Sequence, residues 1–304
     1  MKEDILITGG SGLLALNWAL TIREKFNVTL GLHDRNINLK GTRSILLNLD
    51  SKDALIKALE ALEPQFVIHA AGLTSVEQCE ANPTLAKYIN VDLTKNLATV
   101  CAKLNIPLIY ISTDHLFSGN ESLVNEDHPV SPLNVYAKTK AEAEARVLDS
   151  DVETLIIRTN FYGWGTSYRH SFSDMVINHL RVGKKISLFK DIYYTPMLIE
   201  PLVNSVHELV HKRAKGIFNV VGDDRISKYD FGVKIAKAFN LYNDLIDEGK
   251  IIDKSSLVLR PHDMSLSNQK ISNYLGRKMG GLDEHILKLK AQEVNRLAKE
   301  LQAL

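Results

Sequence analysis

Residues 5–15 have the sequence ILITGGSGLLA, which places a glycine-rich turn between an apolar run and a helical pattern. The spacing predicts a buried strand over residues 5–8 and a helix over residues 11–23. Glycines at such a turn let the backbone approach a pyrophosphate at the positive N-terminus of the helix. The stretch therefore predicts a nucleotide-binding turn, with an ordinary strand-to-helix turn as the alternative.

Strand and helix patterns alternate through the first half of the chain. Further strands are predicted at residues 28–32, 66–68, 108–112 and 155–157, and one continuous helix is predicted from Pro83 to Leu104. This alternation is typical of the α/β class with a Rossmann-type doubly wound parallel sheet. We expect residues 1–160 to form an NAD(P)-binding domain and residues 161–304 a smaller α/β substrate lobe. The two are expected to interleave, with residues 215–225 returning to the sheet.

Composition excludes several classes of protein. The 304 residues include 37 Lys and Arg against 36 Asp and Glu, a formal net charge of +1, without the basic runs of a general nucleic-acid or membrane-surface binder. No stretch approaches the roughly 20 apolar residues of a membrane span, and the start lacks a signal-peptide pattern. Cys79 and Cys101 are expected to be reduced thiols of a cytoplasmic protein. Zinc-type ligand clusters are missing, so no metal is expected.

Tyr136 and Lys140 stand four residues apart, on one face of a predicted helix. A nearby ammonium favours the phenolate of a tyrosine, whose ordinary pKa is about 10. Such a tyrosine can donate a proton to a carbonyl oxygen while a hydride reaches the carbonyl carbon. Ser112 and Thr113 end the preceding predicted strand, where one hydroxyl can stabilise charge on the same oxygen.

The ends of two further predicted strands carry cofactor signals. His33, Asp34 and Arg35 follow the second strand, where an acid suits the ribose hydroxyls of NAD and a cation suits the 2′-phosphate of NADP. The cations favour NADP(H) over NAD(H). The small residues Ala70, Ala71 and Gly72 follow the third strand, where they either let a dinucleotide pass close to the backbone or serve tight packing alone.

Five longer segments carry a resemblance to known proteins: HAAGLTSVEQCE from His69, ISTDHLFSG from Ile111, SPLNVYAKTKAEAE from Ser131, RTNFYGWG from Arg158 and RPHDMSLSN from Arg260. With the glycine turn, they resemble the extended short-chain dehydrogenase/reductases, and most of all the dTDP-4-dehydrorhamnose reductase branch. The resemblance covers almost the whole chain.

The resemblance implies roles for individual residues. Thr113, Tyr136 and Lys140 take the catalytic positions, and Lys140 also holds the nicotinamide ribose. The cofactor positions that it implies, beside Tyr136 and Lys140, are Gly9, Ser11, Gly12, Leu13, Leu49, Asp50, Ala70, Ala71 and Gly72. Thr113 and Phe161 would meet the sugar, and Arg260 would approach the nucleotide part of the substrate or form a structural ion pair.

The chain also departs from that family pattern. His115 replaces the tyrosine that usually follows Ser-Thr-Asp, and Ile192 and Met197 interrupt a family motif. Dehydratases of the superfamily carry a glutamate after the aspartate, so His115 also disfavours that activity. Asn17 stands where some members have an acid associated with a magnesium-linked dimer, which is why no metal is expected here.

The function that these observations favour is NAD(P)H-dependent reduction of a nucleotide-linked 4-keto-6-deoxy sugar, with Tyr136 as proton donor. One alternative is a sugar-nucleotide epimerase that recycles a retained cofactor. Another is a regulatory subunit that binds NADP without catalysis, as in the beta subunit of methionine adenosyltransferase. The resemblance further implies a homodimer through the long helices that flank the fourth predicted strand.

Overall fold

The computed structural model describes residues 2–254 and 257–304. Its strands are β1 (Asp4–Thr8), β2 (Asn27–Leu32), β3 (Thr42–Leu46), β4 (Phe66–His69), β5 (Leu108–Ile111), β6 (Thr154–Arg158), β7 (Phe161–Tyr162), β8 (Ile186–Phe189), β9 (Tyr193–Tyr194), β10 (Met197–Leu198), β11 (Gly216–Asn219), β12 (Ile226–Ser227) and β13 (Ile246–Gly249). Its α-helices are α1 (Leu13–Ile22), α2 (Lys52–Leu62), α3 (Val76–Ala81), α4 (Pro83–Lys87), α5 (Leu93–Lys103), α6 (Val135–Leu148), α7 (Phe172–Arg181), α8 (Ile199–His211), α9 (Lys228–Ala238), α10 (Gln269–Leu275), α11 (Leu282–Val294) and α12 (Leu297–Gln302).

Seven strands form one parallel sheet in the order β11-β6-β5-β4-β1-β2-β3. The chain moves from β1 to β2 on one side and later returns to β4 on the other side of β1. A crevice opens at the carboxyl ends of the strands where the direction of winding changes, and ligands of such sheets bind there. The sheet therefore directs attention to the residues that follow β1 and β4.

Helices cover both faces of this sheet, as the sequence predicted. Alternate residues of a strand point to opposite faces, so Ile5 and Ile7 of β1 join a core with α1 and α8, whereas Leu6 joins a second core with α2, α5 and α6. Burial on both faces explains why these strands are continuous apolar runs. The architecture is an α/β Rossmann-like fold.

The sequence pattern does not predict β3, the edge strand of the sheet. Its residues, TRSIL, are exposed or half-buried, since one side of the strand has no neighbour in the sheet. A polar edge strand lacks the apolar run that identified the other strands. The residues of β3 are held in strand conformation by parallel pairing with β2, in which Thr29 lies opposite Arg43. The local sequence of β3 does not indicate this pairing.

The continuous helix predicted from Pro83 to Leu104 is wrong. The segment consists of α4, a π-helical turn over Tyr88–Asp92, and α5. The buried amide of Asn90 in that turn accepts from the Leu73 backbone N–H (2.7 Å) and donates to the Leu73 carbonyl (3.0 Å) and to Thr139 Oγ1 (3.0 Å). These tertiary hydrogen bonds offset the cost of the bulge, and they lie beyond the reach of local spacing.

Strands β8 and β13 and helices α7, α9 and α11 form a smaller unit outside the seven-stranded sheet. Helix α9 packs against α7 and α11, and β8 pairs with β13. Phe231 of α9 is fully buried against Tyr162 and Phe172. Strand β11 leaves this unit and pairs with β6 at the edge of the main sheet.

Cys79 on α3 and Cys101 on α5 are buried free thiols. Burial raises the pKa of Cys79 to about 11 and that of Cys101 to about 12, so both are poor nucleophiles at neutral pH. Within residues 2–254 and 257–304, no helix combines the length and apolar character that a membrane crossing requires.

The half-buried His207 should make the fold sensitive to mild acid. His207 on α8 accepts a hydrogen bond from Trp18 Nε1 at 3.1 Å, and burial lowers its pKa to about 4, against 6.5 for an unperturbed histidine. Below about pH 6.5 His207 is therefore protonated in the unfolded chain but stays neutral in the native state. The free energy of unfolding consequently falls as the pH decreases. His207→Gln keeps a hydrogen-bond acceptor for Trp18 but cannot bind this proton. Between about pH 7 and about pH 5, the free energy of unfolding should therefore fall by about 2 kcal/mol less in His207→Gln than in the unsubstituted protein.

Urea unfolding at the two pH values measures this difference. The tryptophan signal reports on it because Trp18 and Trp164 are both fully buried. Equal losses in the two proteins would contradict the assignment of the lowered pKa to His207.

Candidate active site

The glycine turn after β1 packs directly against the segment after β4. Gly9 has φ +67°, and a Cβ built on it would lie 2.8 Å from both the Cα and the backbone nitrogen of Ala71. Gly12 is the N-cap of α1 and offers no side chain to the first-turn N–H groups. Those donors and the positive end of the helix dipole therefore remain available at the crevice.

A chain of hydrogen bonds through His69 holds the ends of β1 and β4 together. The Thr94 hydroxyl donates to the Asn90 carbonyl (2.7 Å), so Thr94 Oγ1 accepts from Nε2–H of His69 (2.9 Å). Nδ1 then accepts from the Thr8 hydroxyl (2.7 Å). Burial lowers the pKa of His69 to about 3, with the Lys140 charge adding to the effect, so this neutral tautomer persists at physiological pH.

A cleft of about 940 Å³ opens at this point. The sequence-predicted residues that line it are Gly9, Ser11, Gly12, Leu13, Arg35, Leu49, Asp50, Ala70, Ala71, Gly72, Thr113, Tyr136, Lys140 and Phe161. Asp34 is not among its lining residues; its side chain is 85% exposed and pairs with His33 at 2.8 Å. Of the two cofactor signals after β2, the cation rather than the acid faces the cleft.

Residues 168–171 line the cleft and contact other segments of its lining. Tyr168 Oη donates to the Ser11 carbonyl (2.9 Å), and the Arg35 guanidinium lies 3.9 Å from the centroid of the Tyr168 ring. Further along, Arg169 donates to Thr74 Oγ1 at 2.8 Å. The segment thus touches the glycine turn, the cation after β2 and the loop after β4.

Helix α6 carries Tyr136 and Lys140 into the cleft. Asn134 caps this helix by accepting from the backbone N–H of Ala137 at 2.9 Å, so the helix begins one residue before Tyr136. Thr113 follows β5 and lines the same cleft. All three side chains are buried, with residue exposures of 5% for Thr113, 8% for Tyr136 and 7% for Lys140.

The ammonium of Lys140 is fixed from the sheet side. Nζ donates to the Ile111 carbonyl (2.8 Å) and lies 4.2 Å from the centroid of the Tyr110 ring. Burial lowers the pKa of Lys140 to about 7, and the charge of Glu144 opposes that shift. Glu144 in turn forms a buried ion pair with Arg158 at 2.7 Å.

The expectation that Lys140 favours a phenolate at Tyr136 is wrong. Burial raises the pKa of Tyr136 to about 12, and this effect outweighs the lowering by the nearby Thr113 hydroxyl. The Lys140 ammonium is directed to a backbone carbonyl and a different ring, so desolvation decides the result. Tyr136 is therefore a protonated phenol at neutral pH.

Thr113 belongs to a polar row that continues away from the glycine turn. Its hydroxyl donates to Asp114 Oδ1 at 3.2 Å, and Asn160 Nδ2 donates to Asp114 Oδ2 at 2.6 Å. The ring of His115 meets that of Tyr136 edge-on at 5.6 Å. His115 and Asn160 also line a second cavity of about 310 Å³, which adjoins the cleft.

The second cavity, hereafter the side chamber, contains Arg260. Its Nη2 pairs with Glu77 of α3, whereas its buried Nε has no hydrogen-bond partner among the described residues. The chamber also contains Lys228, the first residue of α9, and Ile192, one of the departures from the family pattern.

Sequence reasoning did not select four residues that shape the cleft and chamber: Asn90, Asn160, Tyr168 and Lys228. Asn90 lies within the segment predicted as one continuous helix, where local spacing gives it no special role. The others are polar or aromatic residues in irregular segments or at a helix start. Only the tertiary fold brings them to the site.

Asn17, the position associated with a metal-linked dimer in some relatives, is committed to backbone contacts. Its side-chain amide donates to the Leu13 carbonyl (2.9 Å) and to the Trp164 carbonyl (2.8 Å). Across the described part of the chain, no group of three or more His, Cys, Asp or Glu side chains is arranged to hold a metal ion.

The sheet, its winding change and the glycine turn together define a Rossmann-type α/β protein of the kind that binds nucleotides at the crevice. Residues 1–292 match the model of the family described as the RmlD substrate binding domain. The chain belongs to that family.

The chain is also similar to curated relatives over most of its length, and it shares its fold with a solved structure. The probable low-salt glycan biosynthesis reductase Agl14 of Haloferax volcanii is 27% identical over 94% of this chain and 96% of its own length. Methionine adenosyltransferase 2 subunit beta of Mus musculus is 28% identical over 79% of this chain and 73% of its own length. A dTDP-4-dehydrorhamnose reductase from Bacillus anthracis, solved in complex with NADP, shares the fold with a TM-score of 0.85 at 23% identity, covering 96% of this chain and 100% of that one.

The close approach of Gly9 to Ala71 can be tested with a matched pair of alanine substitutions. Gly9 and Gly183 have nearly equal φ angles, +67° and +68°, but a Cβ on Gly183 would meet no atom within 4 Å. Both substitutions impose the same backbone strain, of order 1 kcal/mol. Gly9→Ala adds the clash with Ala71, so we expect it to cost about 1–3 kcal/mol more and to weaken dinucleotide binding at least tenfold.

Chemical denaturation and titration with NADPH measure the two effects. Gly183→Ala should leave the binding of NADPH unchanged. If Gly9→Ala and Gly183→Ala bind NADPH with the same Kd, the backbone contact between Gly9 and Ala71 is not needed for cofactor binding.

Proposed function

We propose that this protein is an NAD(P)H-dependent reductase of a nucleotide-linked 4-keto-6-deoxy sugar. The observation that carries the proposal is the convergence of Thr113, Tyr136 and Lys140 on the cleft that begins at the glycine turn. The family match over residues 1–292 and the reductase name of the Haloferax volcanii relative support the same reaction class.

The cleft is suited to a dinucleotide. The backbone of Gly9 packs against that of Ala71 with no room for a Cβ, and the N-terminus of α1 offers backbone donors to a pyrophosphate. Leu49 and Asp50 would lie beside the adenine, and Lys140 would hold the nicotinamide ribose. When bound, the reduced cofactor supplies a hydride to the substrate.

Tyr136 supplies the proton in this proposal. Its pKa of about 12 keeps the phenol protonated at neutral pH, as a donor to a carbonyl oxygen requires. As the carbonyl carbon accepts the hydride, the phenolic proton passes to the carbonyl oxygen and leaves an alcohol. Thr113 stabilises the developing negative charge on that oxygen.

We further propose that NADPH is preferred over NADH. Support comes from His33 and Arg35, which line the cleft after β2, whereas Asp34 lies outside it. A guanidinium suits the 2′-phosphate of NADP through charge-assisted hydrogen bonds. In this interpretation Tyr168 keeps the Arg35 side chain in place by stacking.

A second candidate is a regulatory subunit that binds NADP without turnover. The similarity to methionine adenosyltransferase 2 subunit beta specifically favours it. Co-purification with a synthetase and an absence of NAD(P)H oxidation would support this candidate. An epimerase would convert its substrate without net consumption of NAD(P)H.

The proton-donor role is tested with Tyr136→Phe. We expect kcat to fall by roughly 10²- to 10⁴-fold, because the phenol is the proton source, while NADPH affinity is retained. Oxidation of NADPH against a panel of nucleotide-linked 4-keto sugars measures the rate. Tyr162→Phe is the control, since Tyr162 Oη is buried without a hydrogen-bond partner in the described chain, so its loss removes no bond. Undiminished turnover in Tyr136→Phe would refute the proposal.

The cofactor preference is tested with Arg35→Ala. Removal of the guanidinium should weaken NADPH binding by roughly tenfold and leave NADH binding nearly unchanged, because only NADPH carries the 2′-phosphate. Binding titrations with both cofactors measure the ratio. Asp34→Ala, on the exposed neighbour, serves as the control. A parallel loss for both cofactors would count against a contact between Arg35 and the 2′-phosphate.

A further inference from the structure

The side chamber contains a cation that forms no ion pair with the described residues. Nζ of Lys228 lies 3.3 Å from the centroid of the Tyr194 ring and 4.8 Å from that of Phe172. None of the ion pairs formed by residues 2–254 and 257–304 includes Lys228, although such pairs are common elsewhere on the surface. An ammonium that is held against two rings and that pairs with no carboxylate of the described residues is poised for an anion.

The carboxylates near Lys228 are already committed to other groups. Asp114 accepts hydrogen bonds from Thr113 and Asn160, and it acts on Lys228 only through space. Glu77 pairs with Nη2 of Arg260. Burial lowers the pKa of Lys228 to about 8, and the positive charge of Arg260 adds to that lowering. The chamber therefore brings together two cationic groups whose mutual repulsion is only partly relieved.

The side chamber adjoins the part of the cleft that contains Tyr136, so the positive charge of Lys228 lies near the proposed reaction site. His115 and Asn160 line both the cleft and the chamber, and Thr113 stands beside them at the end of β5. A sugar whose carbonyl meets Tyr136 would extend past His115 toward Lys228 and Arg260. In a nucleotide-linked sugar, the charged group next to the sugar ring is the diphosphate.

We propose that Lys228 is a specificity-determining residue whose ammonium, with Nε of Arg260, binds the diphosphate of the substrate. This inference rests on the proposed function for the identity of the substrate, but the anion site itself requires no turnover. The aromatic rings of Tyr194 and Phe172 hold the Lys228 side chain in the chamber before the ligand arrives, so less side-chain entropy is lost on binding. Arg260 contributes the donor that Glu77 does not use.

Inorganic pyrophosphate is the probe, with NADP⁺ at saturating concentration so that the glycine turn is occupied. Calorimetric titration should detect binding to the unsubstituted protein and a roughly tenfold or larger rise in Kd for Lys228→Met, which keeps the length and apolar packing of the side chain. Lys228→Arg should retain most of the affinity. The matched control is Lys270→Met, because exposed Lys270 also lies over a ring, that of Phe218 at 4.6 Å, but outside the chamber.

The outcomes separate this inference from the proposed function. No pyrophosphate binding, equal Kd values for Lys228→Met and Lys270→Met, or binding of glucuronate in place of pyrophosphate would each overturn it. Lys228-dependent binding without NAD(P)H oxidation on any keto sugar would keep the anion site and reject the reductase. With an active keto sugar, Lys228→Met should raise KM far more than it lowers kcat, whereas a merely structural role would not move the pyrophosphate Kd.

Discussion

The contact between Gly9 and Ala71 is the constraint from which the rest of the site follows. It can form only where the chain leaves β1 and β4 in opposite winding directions, and only with a glycine at φ +67°. The neutral His69, bonded to Thr8 and Thr94, fixes the same two strand ends. If these strand ends separated, the glycine turn, the loop after β4 and the π-helical turn that carries Asn90 would no longer be held in fixed positions relative to one another.

Burial, rather than direct pairing, sets the charge state of the groups in the cleft. Desolvation raises the pKa of Tyr136, so its phenol stays protonated at neutral pH. Desolvation also lowers the pKa of Lys140 to about 7, so its ammonium titrates near neutral pH. Glu144 offsets part of the shift at Lys140, and Arg158 holds Glu144 in place. The residues that adjust the charge state of Lys140 therefore extend from α6 to the end of β6.

The fold was predictable wherever burial of an element requires a recognisable run of apolar residues. Strands such as β1 and β4 are apolar on both faces because helices cover both faces, and the turn at Gly9 is marked by its glycines. The prediction failed at β3, whose polar edge has no apolar run, and at the π-helical turn, whose cause is the tertiary hydrogen bonds of Asn90. Most of the candidate site could be named from motifs, with Asp34 as the residue that the structure turns away from the cleft.

The sequence by itself determined the α/β architecture, the glycine turn and the placement of Tyr136 and Lys140 on one helical face, because each depends on local spacing within a few residues. The tertiary structure alone decided that Tyr136 is a protonated phenol, that Arg35 rather than Asp34 faces the cleft, and that Lys228 meets Tyr194 beside Arg260. The physical reason is that desolvation and charge proximity depend on distances between segments far apart in the chain, which no local pattern encodes.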